Sequence, residues 1–458
     1  MKGSGIMSAK SASLTEGPLL KSIIFYTIPI ILTGILQLLF NAADLVVVGR
    51  YCGSLSVGAV GATGAVINLL VNLFIGLSVG ACVSVAHGLG AGRKDDVEKT
   101  VHTSIPTALI CGVILTVVGI TQSRNILALM GTPDDIIGLA TIYMQIYFGG
   151  ITASMVYNFG ASILRAAGDT KSPLYFLMIS GVINVLLNLF FVIVLNMDVA
   201  GVALATASSQ IISAVLVLRA LMKREDECRF SFRKMKIHKR QLIKILQIGF
   251  PAGIQGSLFS ISNVIIQSSI NSFGSVAMAG NAAASNIEGF VYISMNSVSQ
   301  TAINFAGQNH GAGKLDRIRK TLYICTAFVF ATGIILGGTG YLFGKPLLGI
   351  YITDSQEAIE YGLVRMAYIL IPYFLCGLMD VATGMLRGIG SSVMPMIITI
   401  LGVCGFRIVW IYTVFRIPEY HTLPCLYLSY TISWSATFLI ELGVFLFLMR
   451  RMSNKVKA

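Results

Sequence analysis

HGLGAGRK at residues 87–94 and QNHGAGK at 308–314 are one turn written twice, with Gly90 and Gly92 standing 221 residues before Gly311 and Gly313. A second pair keeps the register. LRAAGDTKSP at 164–173 and LRGIGSSVMP at 386–395 set Arg165 and Pro173 222 residues ahead of Arg387 and Pro395, and Pro29 precedes Pro251 by the same 222. Chance does not hold one offset over so many positions, so the chain is two similar halves in tandem.

Between these turns the apolar runs predict six helices in each half, near 22–48, 57–88, 101–122, 136–164, 173–196 and 199–221, then 244–271, 277–307, 321–343, 358–386, 394–415 and 423–449. A bilayer crossing takes ~20 apolar residues, and each run is long enough. Of 458 residues 55% are apolar and 12% charged, against ~25% charged in a soluble globular protein, which excludes an ordinary cytosolic enzyme. The fold expected is an all-α polytopic membrane protein: twelve transmembrane helices in two six-helix lobes, residues 1–222 and 243–458, with a basic cytoplasmic linker at 223–242. Six crossings return the chain to its starting side, so the lobes should be related by pseudo-two-fold symmetry along the membrane normal, with a cleft between them suited to alternating access.

The 33 Lys and Arg against 20 Asp and Glu give +13, a balance that in a soluble chain points to nucleic acid. With the amino terminus inside, 27 of the 33 fall in the tails and cytoplasmic loops, ten of them between Arg219 and Lys244; only Arg50, Arg124, Lys345 and Arg416 fall opposite, and Arg365 and Arg407 lie within spans. Basic side chains resist translocation. Both termini are therefore expected in the cytoplasm of a multi-pass cell-membrane protein, and no nucleic-acid partner is expected. The linker KREDECRFSFRKMKIHKR, 223–240, reads as long and polar enough to let the halves move. The amino terminus, with Lys2, Lys10 and Lys21, lacks the short apolar region and cleavage site of a signal peptide, so its first apolar run should stay as a helix. The eight cysteines form no CxxC pair and read as small buried hydrophobes, neither a disulfide framework nor a zinc site.

Acids within spans cost ~2.5–3.5 kcal/mol at the bilayer centre and usually face a cavity or a partner. There are four: Asp44, Glu288, Asp380 and Glu441. Counted at ~1.5 Å per residue, Asp44 on the first span, Asn184 and Asn188 on the fifth and Thr206 on the sixth reach similar depths in the outer half of the first lobe. One carboxylate with amide and hydroxyl oxygens suits a hard monovalent cation, by extension from divalent ions. The competing readings are an acid held by a helix end or by Arg50, and asparagines that glue helices together. Glu288 on the eighth span and Arg407 on the eleventh share a depth ~15 Å from the outer surface; with Asp380, nearer the cytoplasm, they are either a structural lock or a relay for protons or cationic substrate. Glu441 can face either way. Arg165 and Arg387 read as helix-end anchors, the GAG turns as tight glycine geometry, and His87 and His310 as too isolated for a metal. No HExxH or GxSxG occurs, so no enzyme is expected, and no cofactor beyond a coupling ion.

AADLVVVG at 42–49, the paired GAG turns, the paired LRxxG motifs and GVALAT at 201–206 together resemble the multidrug and toxic compound extrusion (MATE) family from about residue 15 to 450. The loop after the second span, GLGAGRKDD, lacks the Asp-Arg-rich signature of major facilitator transporters. The resemblance implies export of organic, often cationic, compounds coupled to inward sodium or proton flow. It assigns the coupling ion to the first-span acid, Asp44, with the fifth-span Asn184 and the sixth-span Thr206. Asn188 departs from the pattern, standing where such relatives often have aspartate. Two carboxylates in one apolar pocket would favour proton exchange; one leaves sodium and proton both open. The partners expected are a small organic substrate and the lipid bilayer, for a monomer. The alternative within the wider superfamily, a lipid-linked precursor flippase, calls for several deep basic residues, whereas only Arg407 is counted as deep.

Overall fold

In a computed structural model of the chain, residues 13–353 and 355–457 are described; Lys2 and Lys10 lie outside them. These residues are helical, with no strand. The first half runs α1 (Leu19–Tyr51), α2 (Ser54–Gly90), α3 (Lys94–Leu129), α4 (Asp134–Ala166), α5 (Lys171–Leu189) with a π turn at Phe190–Val194, and α6 (Asp198–Met222). The second runs α7 (Lys239–Asn271), α8 (Ser275–Gly311), α9 (Leu315–Leu342), the short α10 (Gly344–Tyr351), α11 (Gln356–Arg365), α12 (Phe374–Gly388), α13 (Val393–Thr399), α14 (Phe406–Tyr412) and α15 (Leu423–Lys457). π turns at Met366–Leu370 and Ile400–Gly405 carry α11 towards α12 and α13 into α14, so each pair makes one span.

Eleven of these helical stretches are long and apolar enough to cross a membrane. The twelfth, α8, is as long as α2 at 37 residues. Asn281, Glu288, Asn296, Gln300, Asn304 and Gln308 depress its hydropathy. The repeat is written in the backbone as well. Gly53 and Gly274, at φ 90° and 91°, precede α2 and α8, while Gly92 and Gly313, at 65° and 68°, follow them. Left-handed backbone of this kind costs glycine nothing and other residues ~1–2 kcal/mol.

Contacts divide the chain into two compact units, but not at the linker. One holds Ile28–Ser257; the other holds Thr15–Thr27 and everything from Leu258 onward. The division differs from the expected 1–222 and 243–458 because the first turns of α7 pack on α2 through backbone. A Cβ on Gly76 would stand 2.2 Å from Gly253 N, and one on Gly80 2.1 Å from Ile245 O, so only glycine permits the approach. In the other unit, Thr27 and Thr301 share a 2.8 Å hydrogen bond and Tyr26 meets Phe305 edge-on. Arg317 donates to the Glu16 and Gly17 carbonyls, and Lys314 to that of Thr15. Phe148, Phe159, Met144 and Leu115 centre the first unit's apolar core, and Tyr427, Met379 and Ile266 that of the second.

The linker is pinned, contrary to its polar composition. His102 on α3 stacks on buried Phe230, directs Nδ1 at the Glu98 carbonyl and accepts the Ser231 N–H at Nε2, 3.1 Å away. Thr103 accepts the His238 N–H, Gln241 donates to Asp96, and Arg224 donates to Asp226 through both Nε and Nη2. The Lys94 ammonium, 2.7 Å from Glu227, holds that carboxyl below its ordinary range; pairs so exposed add little to stability. Removing His102 orphans a backbone N–H, at about 1–3 kcal/mol. His102→Ala is therefore expected to speed tryptic cleavage after Arg233, Lys234 and Lys236 roughly tenfold through local opening, read as a time course on gels. Unchanged cleavage would mean that His102 does not hold the strap.

Candidate functional site

Asp44 lies near the end of α1, beside α5 and α6. Asn188 Nδ2 donates to Asp44 Oδ1, and Thr206 Oγ1 lies 3.4 Å from Oδ2 while standing 3.0 Å from the Val202 carbonyl. A hydroxyl has one proton, so the shorter contact competes for it. Asn184, one turn from Asn188, accepts a 3.4 Å contact from the same amide. Asn184 and Asn188 are buried, Asp44 and Thr206 partly so. The structure thus brings together all four residues singled out in the sequence. Among the described residues no Lys or Arg stands at ion-pair distance from Asp44, Arg50 included. Asn188 Oδ1 is buried with no hydrogen-bond partner. Tyr143 on α4 lies within electrostatic range of the carboxylate, a neighbour that no motif announced.

Local sequence fixes this arrangement. Asn196 and Asp198, at φ 52° and 51°, turn the chain sharply between the π turn and α6. The Asp198 carboxylate accepts the Ser56 hydroxyl at 2.8 Å, tying the start of α6 to that of α2. Thr206 then follows Asp198 by eight residues, ~12 Å along the helix.

The second unit holds the other buried charges, and the pairing expected of Glu288 needs correcting. Its partner is Arg365. Nε and Nη2 of Arg365 donate to the two carboxylate oxygens at 2.9 and 2.7 Å, and Nη1 donates to Asn281 at 2.6 Å. Tyr427 donates to the same Asn281 oxygen at 3.1 Å. Arg407 instead lies 3.9 Å from the Tyr430 ring centroid, is 5.5 Å from Trp434, and donates Nε to Ser433. Sequence counting found the depth of Arg407 and overlooked Arg365 at the same level. Asp380 faces Asn296 and Tyr292 of α8, its Oδ2 buried without a partner. Glu441 points inward, fully buried. Arg387 stands in the last turn of α12, as a helix-end cation should, and is partly buried beside these acids. Among the described residues no three His, Cys, Asp or Glu cluster as metal ligands.

The MatE family profile matches residues 29–190 and again 251–413, starting points 222 residues apart like Pro29 and Pro251. This chain belongs to the MatE family. Among its relatives, "Probable multidrug resistance protein YoeA" of Bacillus subtilis (strain 168) is 27% identical over 442 residues, 94% of either chain. "Probable multidrug resistance protein NorM" of Thermotoga maritima is 27% identical over 398 residues, 85% of this chain and 84% of its own. The solved structure titled "Crystal structure of MATE in complex with MaL6" superposes with a TM-score of 0.90 at 20% identity, covering 97% of this chain and all of its own. The fold is therefore that of the MATE transporters.

Within this MatE chain the Glu288–Arg365 fork is closed: both oxygens are bonded and both charges matched. Arg365→Ala would leave a buried carboxylate alone, at about 3–5 kcal/mol. A fall in apparent melting temperature of the purified protein is the expected readout. Arg407→Ala removes no ion pair and should cost less; the reverse order would refute the pairing.

Proposed function

We propose that this protein is a cation-coupled antiporter exporting organic, cationic amphiphilic compounds across the cell membrane, with sodium or protons as the coupling ion and Asp44 as its carboxylate. The observation carrying this reading is the company Asp44 keeps. A partly buried carboxylate with no basic partner retains its attraction for a small cation, and the unpartnered Asn188 Oδ1 and shared Thr206 hydroxyl are the oxygen donors such an ion takes. Asp44, Asn188, Thr206 and, one turn on, Asn184 would hold it. The names of the relatives, multidrug resistance proteins, support a drug-like small organic substrate, and they do not favour a lipid-precursor flippase. The distribution of basic residues supports cytoplasmic termini. The protein is taken to act as a monomer.

An ion drives such a cycle only by binding the outward-open and inward-open states with different affinity. Inward flow of the ion then drives the outward passage of substrate because the two bind in alternation. The side chains do no covalent chemistry; Asp44 supplies charge and its amide and hydroxyl neighbours supply selectivity.

Ethidium efflux from proteoliposomes under separately imposed sodium and proton gradients tests the reading. Wild type should respond to at least one gradient. Asp44→Asn, inserted and folded normally, should lose at least about tenfold in gradient-driven rate, as expected for removal of a group worth more than ~1.4 kcal/mol to coupling. Undiminished transport by that variant would remove Asp44 from the mechanism.

A further inference from the structure

Glu441 takes no part in the site at Asp44, and its surroundings have the makings of a ligand site. It lies within α15, fully buried. Thr383 on α12 approaches its two carboxylate oxygens at 3.0 and 2.8 Å, and Thr399 on α13 donates to one of them at 3.0 Å. Two hydroxyls bring two protons to a carboxylate with about four acceptor positions, so half of its capacity is unfilled. Among the described residues no Lys or Arg stands at ion-pair distance.

The charged groups whose fields reach Glu441 are Arg387 and Asp380, both on α12. Tyr292 on α8 faces that pair, and α13 contributes no charged residue. Two carboxylates against one guanidinium leave one negative charge in excess. The remaining buried cations do not supply the balance: Arg365 is matched by Glu288, and Arg407 is bonded to Ser433, eight residues or ~12 Å along α15 from Glu441. A low-dielectric interior does not carry an uncompensated charge of this kind.

A second observation points to what completes the cluster. Thr437, one turn before Glu441 on the same face of α15, is fully buried, and its Oγ1 has no hydrogen-bond partner. It lies against Gly402, where a Cβ would come within 2.4 Å of that oxygen. Gly402 belongs to the π turn Ile400–Gly405, which starts immediately after Thr399. The turn therefore brings Thr399 and the glycine gap to neighbouring levels of α15, and π turns are frequent at functional sites. The donors assembled are all oxygen: one carboxylate and three hydroxyls.

We propose that Glu441, with Thr383, Thr399 and Thr437, forms a second cation site of this protein, taking a proton or a sodium ion and separate from the site at Asp44. Its protonation follows the cation supply. Infrared difference spectra of full-length protein films, perfused with buffers of stepped pH with and without sodium chloride, test this. Wild type should show a carboxylic-acid C=O band that comes and goes with pH. Glu441→Gln should lose it, Thr399→Val should shift its frequency and midpoint, and Asp44→Asn should retain it. Loss of the band on adding sodium at fixed pH assigns sodium; indifference to sodium assigns the proton alone. A spectrum identical in wild type and Glu441→Gln, or a Glu441 band insensitive to both pH and sodium, overturns the site. Because Asp44→Asn is an internal control, failure here is separable from failure of the coupling assigned to Asp44.

Discussion

A carboxylate removed from water needs a positive charge, and among the described residues this protein supplies one to Glu288 but none at ion-pair distance to Asp44. At Glu288 the guanidinium of Arg365 supplies it through a two-pronged bond, and Asn281 accepts a further N–H of that guanidinium together with the Tyr427 hydroxyl. Such a pair is specific and closed, and it has no reason to exchange with anything. At Asp44 the charge is met only by an amide and a hydroxyl, neutral groups that orient without neutralising. The side chains that α5 and α6 bring to Asp44 therefore leave its charge uncompensated, which is the ground for the coupling role proposed for it.

The same distinction organises the second unit. Arg407 is the mirror case, a buried cation quieted by aromatic faces and a serine instead of an acid. Cation–π contact to desolvated rings is worth ~2 kcal/mol, enough to soften the burial of a guanidinium though not to pair it. Glu288 and Arg365 are thus matched charges, while Asp44 and Arg407 are unmatched ones.

Much of this was readable from residue order because depth along a helix depends only on rise per residue. Asp44, Asn184, Asn188 and Thr206 could be placed in the outer half of the first lobe, with Asn184 one turn deeper than Asn188, without knowing how the helices rotate. Rotation is what the sequence hid. A π turn adds one residue to a turn of helix and so swings everything beyond it by ~100°. One ends just before Arg407, so the face that Arg407 presents was not legible, while Arg365 was noted only as lying within a span and was never set at the depth of Glu288. Composition misled in two further places. The linker's charges drew attention from the hydrogen-bonded pins at His102 and Thr103, and the polarity of α8 belongs to the helix that carries Glu288 and faces Asp380. The unit boundary was hidden for a related reason: the glycines at 76, 80, 249 and 253 look like ordinary apolar helix until their backbones are seen to touch.

The most direct test of Asp44 as the coupling carboxylate is charge movement recorded from proteoliposomes adsorbed on a solid-supported membrane, with sodium or pH stepped and no drug present. Wild type should give a transient current as the ion enters its site, larger than Asp44→Asn and reduced when Asn188 is replaced by leucine. An equal transient from Asp44→Asn would place ion entry elsewhere and contradict the account.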